Sequence, residues 1–367
     1  MAGFGYTFPA IRGVQSGREY FVSMCPLRLI PKVFLFDDEE LRPELRAQRV
    51  LNKSRLPEIV RYIVRNPKTY AFSAITASID ADVSFEPLGN DADSKNIGTL
   101  HVPMSARFLI NDGQHRRAAI EQALKETPDL GDETIAVVFF IDVGLERSQQ
   151  MFADLNRYAV RPTRSLSILY DHRDEWSAIA KAIMRKVSIF VGLTETERSS
   201  ISNRSAKLFT LSGIYHATVA LLEQHEKSPV DVKITIAIEF WNEVAKHMRD
   251  WQLAKERKIT ASELRRDNVH AHALGLAALG RAGAALMDQY PKNWKPKLAR
   301  LQSLDWSKDN SELWEGRAMI GGHIQKTRSN VILTANAVKR SLDLDLTDEE
   351  KVLEEALEGK RNARIHR

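Results

Sequence analysis

The sequence predicts an α/β domain followed by a mainly α-helical domain, and three observations favour this fold class. Apolar, β-branched runs alternate with amphipathic segments in residues 1–165, whereas residues 166–367 show mostly helical spacing of apolar side chains. The length of 367 residues fits two domains. Hydrophobic residues make up 43% of the chain and charged residues 28%, which is typical of a globular protein with an apolar core. We therefore expect one domain over 1–165 and a second over 166–367.

The beginning of the first domain mixes strand and helix signals. Aromatic and β-branched residues predict short strands at 18–24 and 30–36. Between residues 39 and 66 apolar side chains recur at helical spacing, and the break near Pro57 indicates two short helices.

The rest of the first domain alternates between strands and helices. Strand-like stretches occur at 70–79 and 83–88, and a polar, turn-rich loop follows them. Residues 107–112 predict a strand that runs through Gly113 into a helix. The apolar run 135–143 predicts a buried strand, and a further helix follows it.

The second domain is predicted to be helical almost throughout. Its candidate helices span 174–190, 204–226, 235–257, 263–289 and 328–342. A charged segment follows the last of these helices and completes the chain.

Charge and cysteine content narrow the class of protein. The chain carries 53 Lys and Arg against 48 Asp and Glu, and this mild excess permits nucleic-acid binding without indicating it. Cys25 is the only cysteine, which excludes an internal disulfide and a Cys-rich zinc site. The sequence shows no signal-peptide pattern and no run of about 20 apolar residues, so we expect a cytoplasmic protein without a membrane segment.

The turn after the strand at 107–112 carries the clearest functional signal. Gly113 tolerates a positive φ and lets a ligand approach the backbone, and the helix that follows offers unpaired N–H groups. His115, Arg116 and Arg117 add cationic donors, which together favour a phosphate site. The alternative is a surface turn with a basic helix start. Because cations oppose the dipole at a helix N-terminus, a purely structural turn would tend to avoid them.

The string DGQHRRAAI in this turn resembles the defining motif of DGQHR-domain proteins. That domain is similar to the ParB/sulfiredoxin fold, so the resemblance implies a mixed sheet with helices. It also implies that the turn holds nucleotide or nucleic-acid phosphates, with contacts from Gly113, Gln114, Arg116 and Arg117.

Two positions depart from the patterns of the related domains. Gln114 stands where sulfiredoxin-like proteins keep a reactive cysteine, which argues against a role in sulfinic-acid repair. Ala118 stands where ParB proteins often have another arginine, so the nucleotide preference of ParB is not inherited with the motif.

Two further segments can contribute to the same site. Asn156 and Arg157 lie in a segment that resembles the third box of ParB-like domains, a helix that closes over the ligand. Arg49 and Arg55 share a predicted helix face and resemble the Arg-rich helix of DGQHR relatives, which would give a DNA-binding edge. The alternatives are an ordinary helix C-terminus for the first pair and a solvated charged face for the second.

The segment from Trp314 to Glu349 carries a second basic cluster. Lys326 and Arg328 are candidate DNA contacts, and a solvated surface loop is the alternative. This region resembles the C-terminal portion of DndB proteins, so the resemblance extends over nearly the whole chain.

The DndB resemblance implies a negative transcriptional regulator of a DNA phosphorothioate modification cluster. Such a protein would bind DNA, either its own promoter or modification-site DNA, and other phosphorothioate modification proteins are candidate partners. A palindromic operator would favour a homodimer.

The alternative is an enzyme, a nucleotide hydrolase or DNA nickase in which Asp112 and His115 are catalytic. It would use a nucleoside triphosphate such as ATP with Mg²⁺. No P-loop pattern and no dedicated set of metal ligands is found in the sequence.

Overall fold

The computed structural model describes residues 5–34, 53–143, 147–157 and 162–365. The chain forms two compact units, Met1–Val160 and Arg161–Arg367. The first contains a mixed sheet with helices and the second is mainly helical, so the predicted fold class is confirmed. Whether 1–165 and 166–367 fold as independent domains stays a prediction.

The first unit is built on a seven-stranded sheet with the order β4-β5-β1-β2-β7-β3-β6. β3 and β7 run parallel, and the other neighbouring strands run antiparallel. The strands are β1 Gly5–Gln15, β2 Arg18–Pro26, β3 Ile75–Asp80, β4 Ser84–Pro87, β5 Ile97–Pro103, β6 Arg107–Asp112 and β7 Thr134–Ile141.

Four described helices accompany this sheet, together with 3-10 turns at Leu27–Leu29, Lys53–Arg55 and Pro128–Asp132. The helices are α1 Ile30–Val33, α2 Leu56–Arg65, α3 Gln114–Glu126 and α4 Ser148–Arg157. Aromatic rings from the sheet and from the segment after α1 form the centre of the core, with Phe34, Phe108 and Phe139 in mutual contact. Cys25 is buried in β2, and burial raises the pKa of its thiol to about 11.

The prediction of a strand at 30–36 is wrong for its described part. Residues 30–33 form α1, with Pro31 in its first turn, where proline fits a helix because no N–H is needed there. Ile30 and Phe34 are buried, so apolar character alone could not distinguish a buried short helix from a strand. Strand β1 was not among the predicted elements; it pairs with β2 through a tight turn at Ser16 and Gly17, whose φ values are 53° and 72°.

The second unit consists of ten described helices and two small strand pairs. The helices are α5 Arg164–Tyr170, α6 Glu175–Lys186, α7 Leu211–Leu221, α8 Val230–His247, α9 Arg249–Lys255, α10 Ala261–Asp267, α11 Ala273–Gln289, α12 Ser311–Trp314, α13 Arg328–Ser341 and α14 Asp348–Ile365. The strand pairs join β8 Thr194–Glu195 to β9 Phe209–Thr210 and β10 Met319–Ile320 to β11 His323–Ile324.

Helix α11 lies at the centre of the second unit, between α7 and α13. Gly280 faces the backbone carbonyl of Ala217 so closely that no side chain fits between α11 and α7. The alanine- and glycine-rich sequence of α11 thus allows the close helix packing that forms the core.

Several predicted helices are interrupted in the structure. The predicted helix 235–257 is divided at Met248 into α8 and α9, and 263–289 is divided between α10 and α11. The charged C-terminal segment, which was not among the predicted helices, forms helix α14. No described helix of either unit is both long enough and apolar enough to cross a membrane.

A buried network of ion pairs fixes α14 to α13. The Nζ of Lys339 donates to both carboxylate oxygens of Glu350, at 2.7 and 2.8 Å, and both side chains are buried. Glu354 is also buried and accepts hydrogen bonds from Arg317 and Asn336. Lys339 therefore neutralises an internal carboxylate and is not part of an open basic surface.

Candidate phosphate-binding site

The backbone at Gly113 positions the candidate site. Gly113 lies between β6 and α3 with φ of 113°, a conformation that side chains other than hydrogen rarely tolerate. A Cβ atom on this residue would lie 3.0 Å from Cγ1 of Ile75 and 3.2 Å from Nη2 of Arg116. Glycine is thus required both by the turn and by the close approach of its neighbours.

A bulge at the end of β6 directs Asn111 into the interior. The register between β3 and β6 shifts here, so that Asp112 pairs with Thr76 and Ile110 with Ala77. The buried Asn111 amide donates to Oγ of Ser78 at 2.8 Å and accepts from Oγ of Ser148 at 2.8 Å. Asn111 thereby joins β3, β6 and the first residue of α4 immediately before the turn.

Asn111 was not among the predicted site residues. A polar residue inside the apolar strand Arg107–Asp112 was the signal that could have identified it, because a buried amide needs partners.

Arg116 lies against the turn and is held there by two acceptors. Its Nη2 donates to Oδ2 of Asp112 at 2.8 Å and to the carbonyl oxygen of Ala74 at 3.0 Å. Its side chain retains 19% of its surface exposed, and its Nε has no hydrogen-bond partner among the described residues. Arg116 therefore places a guanidinium beside Gly113 with part of its donor capacity unused.

Arg117 has a different environment from its neighbour. It is buried, and its guanidinium donates to the carbonyl oxygens of Phe34 at 2.9 Å and Pro31 at 3.2 Å and to Glu121 at 2.6 Å. These bonds connect α3 to α1 and the residue after it. These contacts give Arg117 a role in packing. A phosphate contact from Arg117 stays a prediction, and the contacts disfavour it because they occupy its donors.

His115 and Arg55 lie close enough to interact electrostatically. Partial burial lowers the pKa of His115, and the positive charges of Arg55 and Arg116 lower it further, while Asp112 acts in the opposite direction. Arg55 is exposed in the turn that precedes α2, and α2 packs against α3. The structure thus places Arg55, predicted from a distant segment, within electrostatic range of His115.

The start of α3 supplies backbone donors to the same place. No side chain among the described residues caps this helix, and Gln114 instead donates from its amide to the carbonyl oxygen of Ile110 at 3.2 Å. An uncapped N-terminus carries unpaired N–H groups and a positive dipole end. Together with Arg55 and Arg116 it forms a site of positive potential that is suited to an oxygen anion.

The remaining residues predicted for the first unit are only partly described. Asn156 and Arg157 end α4, whose first residue Ser148 bonds to Asn111, and their side chains lie outside the described part. Asn156 follows Ser148 by eight residues, which corresponds to about 12 Å along α4. Arg49 lies outside the described residues altogether.

The two predicted DNA contacts of the second unit have different surroundings. Arg328 is 87% exposed at the start of α13, and its Nη2 lies 3.6 Å from a carboxylate oxygen of Glu349. Lys326 is exposed two residues earlier, forms no ion pair within the described part of the chain, and acts electrostatically on His216.

Two acidic side chains of the first unit, one in the turn and one in α4, already accept hydrogen bonds. Asp112 accepts from Arg116, and Asp154 in α4 accepts from Gln150 at 2.7 Å. The described residues contain no group of three or more His, Cys, Asp or Glu side chains that could hold a metal ion. Magnesium bound at Asp112 would have to compete with the guanidinium of Arg116 for the carboxylate.

A comparison with known protein families identifies one family that matches nearly the whole chain. A family model described as "DndB: DNA-sulfur modification-associated" matches residues 8–345. The chain belongs to the DndB family. The match begins in β1 and ends after α13, so DndB membership covers both units and associates the chain with DNA sulfur modification. No curated protein and no solved structure matches the chain.

Proposed function

We propose that this DndB-family protein is a DNA-binding negative regulator of a phosphorothioate modification gene cluster. The observation that supports the proposal best is the turn at Gly113, where an uncapped helix start and the guanidinium of Arg116 meet and the charge of Arg55 acts on His115. A DNA phosphate is the anion that the family association makes relevant. Repression would follow from occupancy of the cluster's own promoter.

The contacts at this turn would fix the position of the protein on DNA without reading its sequence. Backbone N–H groups of α3 and the guanidinium groups donate to phosphate oxygens, which are the same at every base pair. Each phosphate that is neutralised releases counterions, so affinity falls as salt concentration rises. Sequence choice must come from other residues that reach base edges.

The proposal is tested by titrating purified protein into its own upstream DNA and measuring anisotropy over a salt series. The Arg55→Gln variant should weaken binding several-fold and reduce the slope of log affinity against log salt by about 0.9. The Arg65→Gln variant is the matched control, because Arg65 is exposed at the other end of the same helix. Equal effects of the two substitutions would contradict a phosphate site at the turn.

The second candidate function is a nucleotide hydrolase or DNA nickase at the same turn. The lowered pKa of His115 favours it, because a neutral imidazole can accept a proton from an attacking water. The assay above is therefore repeated with ATP or CTP and magnesium while released phosphate and nicked DNA are measured. Turnover that is lost in both Asp112→Asn and His115→Gln would establish the enzyme and make repression secondary.

A further inference from the structure

Three basic residues from separate elements of the second unit interact electrostatically at its surface. Arg164 is the first residue of α5, His216 lies in α7, and Lys326 lies between β11 and α13. The Cζ atom of Arg164 lies 4.9 Å from the ring centroid of Tyr215, and the rings of Tyr215 and His216 lie 5.2 Å apart. Burial lowers the pKa of His216, and the charges of Lys326 and then Arg164 lower it further.

This cluster lacks the carboxylates that accompany the other cations of the unit. No ion pair joins Arg164, His216 or Lys326 to an acidic residue within the described part of the chain. Asp174, which like Arg164 acts electrostatically on Tyr215, caps α6 by accepting from the backbone N–H and hydroxyl of Ser177 at 2.9 and 2.7 Å. Its Oδ2 also accepts from the hydroxyl of Tyr215 at 3.3 Å, so this oxygen already has three donors.

Other cations of the same unit lie beside acidic residues. Within the same unit Lys339 is paired with Glu350, Arg340 lies 3.1 Å from Glu354, and Arg328 lies near Glu349. Besides burial, the positive charges of Lys326 and Arg164 lower the pKa of His216 below its ordinary value, so a bound anion would offset their repulsion and favour the protonated imidazole. Each of the three residues keeps an exposed surface that an anion can reach from solution, although neighbouring atoms bury His216 and Lys326 enough to lower their pKa values.

We propose that Arg164, His216 and Lys326 form a second phosphate-contact surface, and that its partner is the backbone of duplex DNA. The inference deepens the proposed function and rests on it for the identity of the partner. An open surface of two cations and a titratable histidine suits successive phosphates of a polymer better than a single small anion, which is normally enclosed by backbone N–H groups. Arg164 packs one face of its guanidinium on Tyr215 and can present its edge to a phosphate, and Lys326 supplies a compact charge.

The first test compares the duplex-DNA affinity of the full-length protein with that of Arg164→Gln and Lys326→Gln. Each substitution should weaken binding several-fold and lower the salt slope by about 0.9. Promoter DNA and a scrambled duplex should be affected equally, because phosphates carry no sequence information. Lys186→Gln is the matched control, since Lys186 is an exposed cation at the end of α6 in the same unit.

The second test follows the ring of His216 by NMR, with His216→Gln to assign its resonance. Bound DNA should raise the pKa of His216, because phosphate charge offsets the two cations that lower it. A shift with inorganic phosphate or ATP but none with duplex DNA would overturn the proposal.

The outcomes distinguish this surface from the proposed function as a whole. If the wild-type protein shows no promoter preference but Lys326→Gln still weakens binding to scrambled DNA, the regulator proposal fails and the surface stands. If promoter binding is strong and the Arg164 and Lys326 variants match Lys186→Gln, the surface proposal is overturned while the regulator stands.

Discussion

The turn at Gly113 and the surface at Arg164, His216 and Lys326 use their basic residues in opposite ways. In the turn, adjacent cations of one short motif are largely bonded to the protein itself, with Arg117 buried and Arg116 bonded to Asp112. In the second unit Arg164 and Lys326 come from positions far apart in sequence, and neither forms an ion pair with a carboxylate among the described residues. A basic motif therefore does not reveal which of its charges remain available to a ligand.

The two regions differ because the basic residues of the turn also stabilise the packing of the first unit. Arg117 satisfies the carbonyl oxygens of Phe34 and Pro31, which would otherwise be left without these donors near the core. Within the described residues Arg164 and Lys326 form no hydrogen bond to a backbone carbonyl oxygen, and both residues keep an exposed surface. The predictions below separate cations that maintain the fold from cations that can bind DNA.

The largest effect is expected from Glu354→Ala in the second unit. This substitution removes the acidic partner of the buried Arg317 and leaves an uncompensated internal charge, which should cost about 3–5 kcal/mol of unfolding free energy. Urea denaturation measures the loss. Glu355→Ala is the control, because Glu355 is exposed on the same helix. Similar losses in the two variants would show that the ion pair does not maintain this unit.

The next largest effect is expected from Gly113→Ala. A methyl group would add strain at φ of 113° and contact Ile75 and Arg116, so we expect a loss of about 2–3 kcal/mol together with weaker DNA binding. Gly17→Ala provides the comparison, since Gly17 also has a positive φ of 72° but nothing lies within 4 Å of its would-be Cβ. It should cost only about 1–2 kcal/mol and leave DNA binding unchanged. Equal stability losses would contradict the close packing around Gly113.

A smaller effect on stability separates Arg117 from Arg55. Arg117→Ala should lower the unfolding free energy by about 1–3 kcal/mol, because buried carbonyl oxygens lose their donors. Arg55→Ala should change stability by no more than about 0.5 kcal/mol, because Arg55 is exposed. DNA affinity at a temperature where both variants are folded should show the reverse order. If Arg117→Ala affected affinity alone, its packing role would be refuted.

The smallest effect concerns the titration of His115. Its pKa in the folded protein lies below the ordinary value of 6.5, so the unfolded chain binds this proton more readily. Stability is therefore unaffected above pH 6.5 and decreases as pH falls from 6.5 towards the folded pKa. Arg55→Gln should raise the pKa of His115 in NMR titrations by removing a positive charge. An unchanged pKa would place Arg55 too far away to share a phosphate with the turn.

Local sequence patterns predicted the strand, the turn and the helix that form the candidate site of the first unit. The strand at Arg107–Asp112, the turn at Gly113 and the helix after it lie where the sequence places them, because strand alternation and glycine punctuation are local signals. The short helix Ile30–Val33 was missed because burial of Ile30 and Phe34 depends on distant strands.

The candidate contacts were harder to predict than the fold. The motif indicated Arg116 and Arg117 equally, and only the carbonyl groups of Phe34 and Pro31 distinguish them. Arg164 and His216 carry no local pattern at all, since their association with Lys326 arises from helix packing in the second unit.

The most direct test of the central claim is a competition between two duplexes of equal length and composition for the purified protein. One carries the DNA upstream of the protein's own gene cluster and the other is scrambled, and both are compared between about 50 and 200 mM salt. The account predicts a preference for the upstream DNA of at least about 10³-fold, with affinity for both duplexes falling as salt rises. Equal affinities for the two duplexes, or binding that does not respond to salt, would contradict a promoter-binding regulator that acts through phosphate contacts.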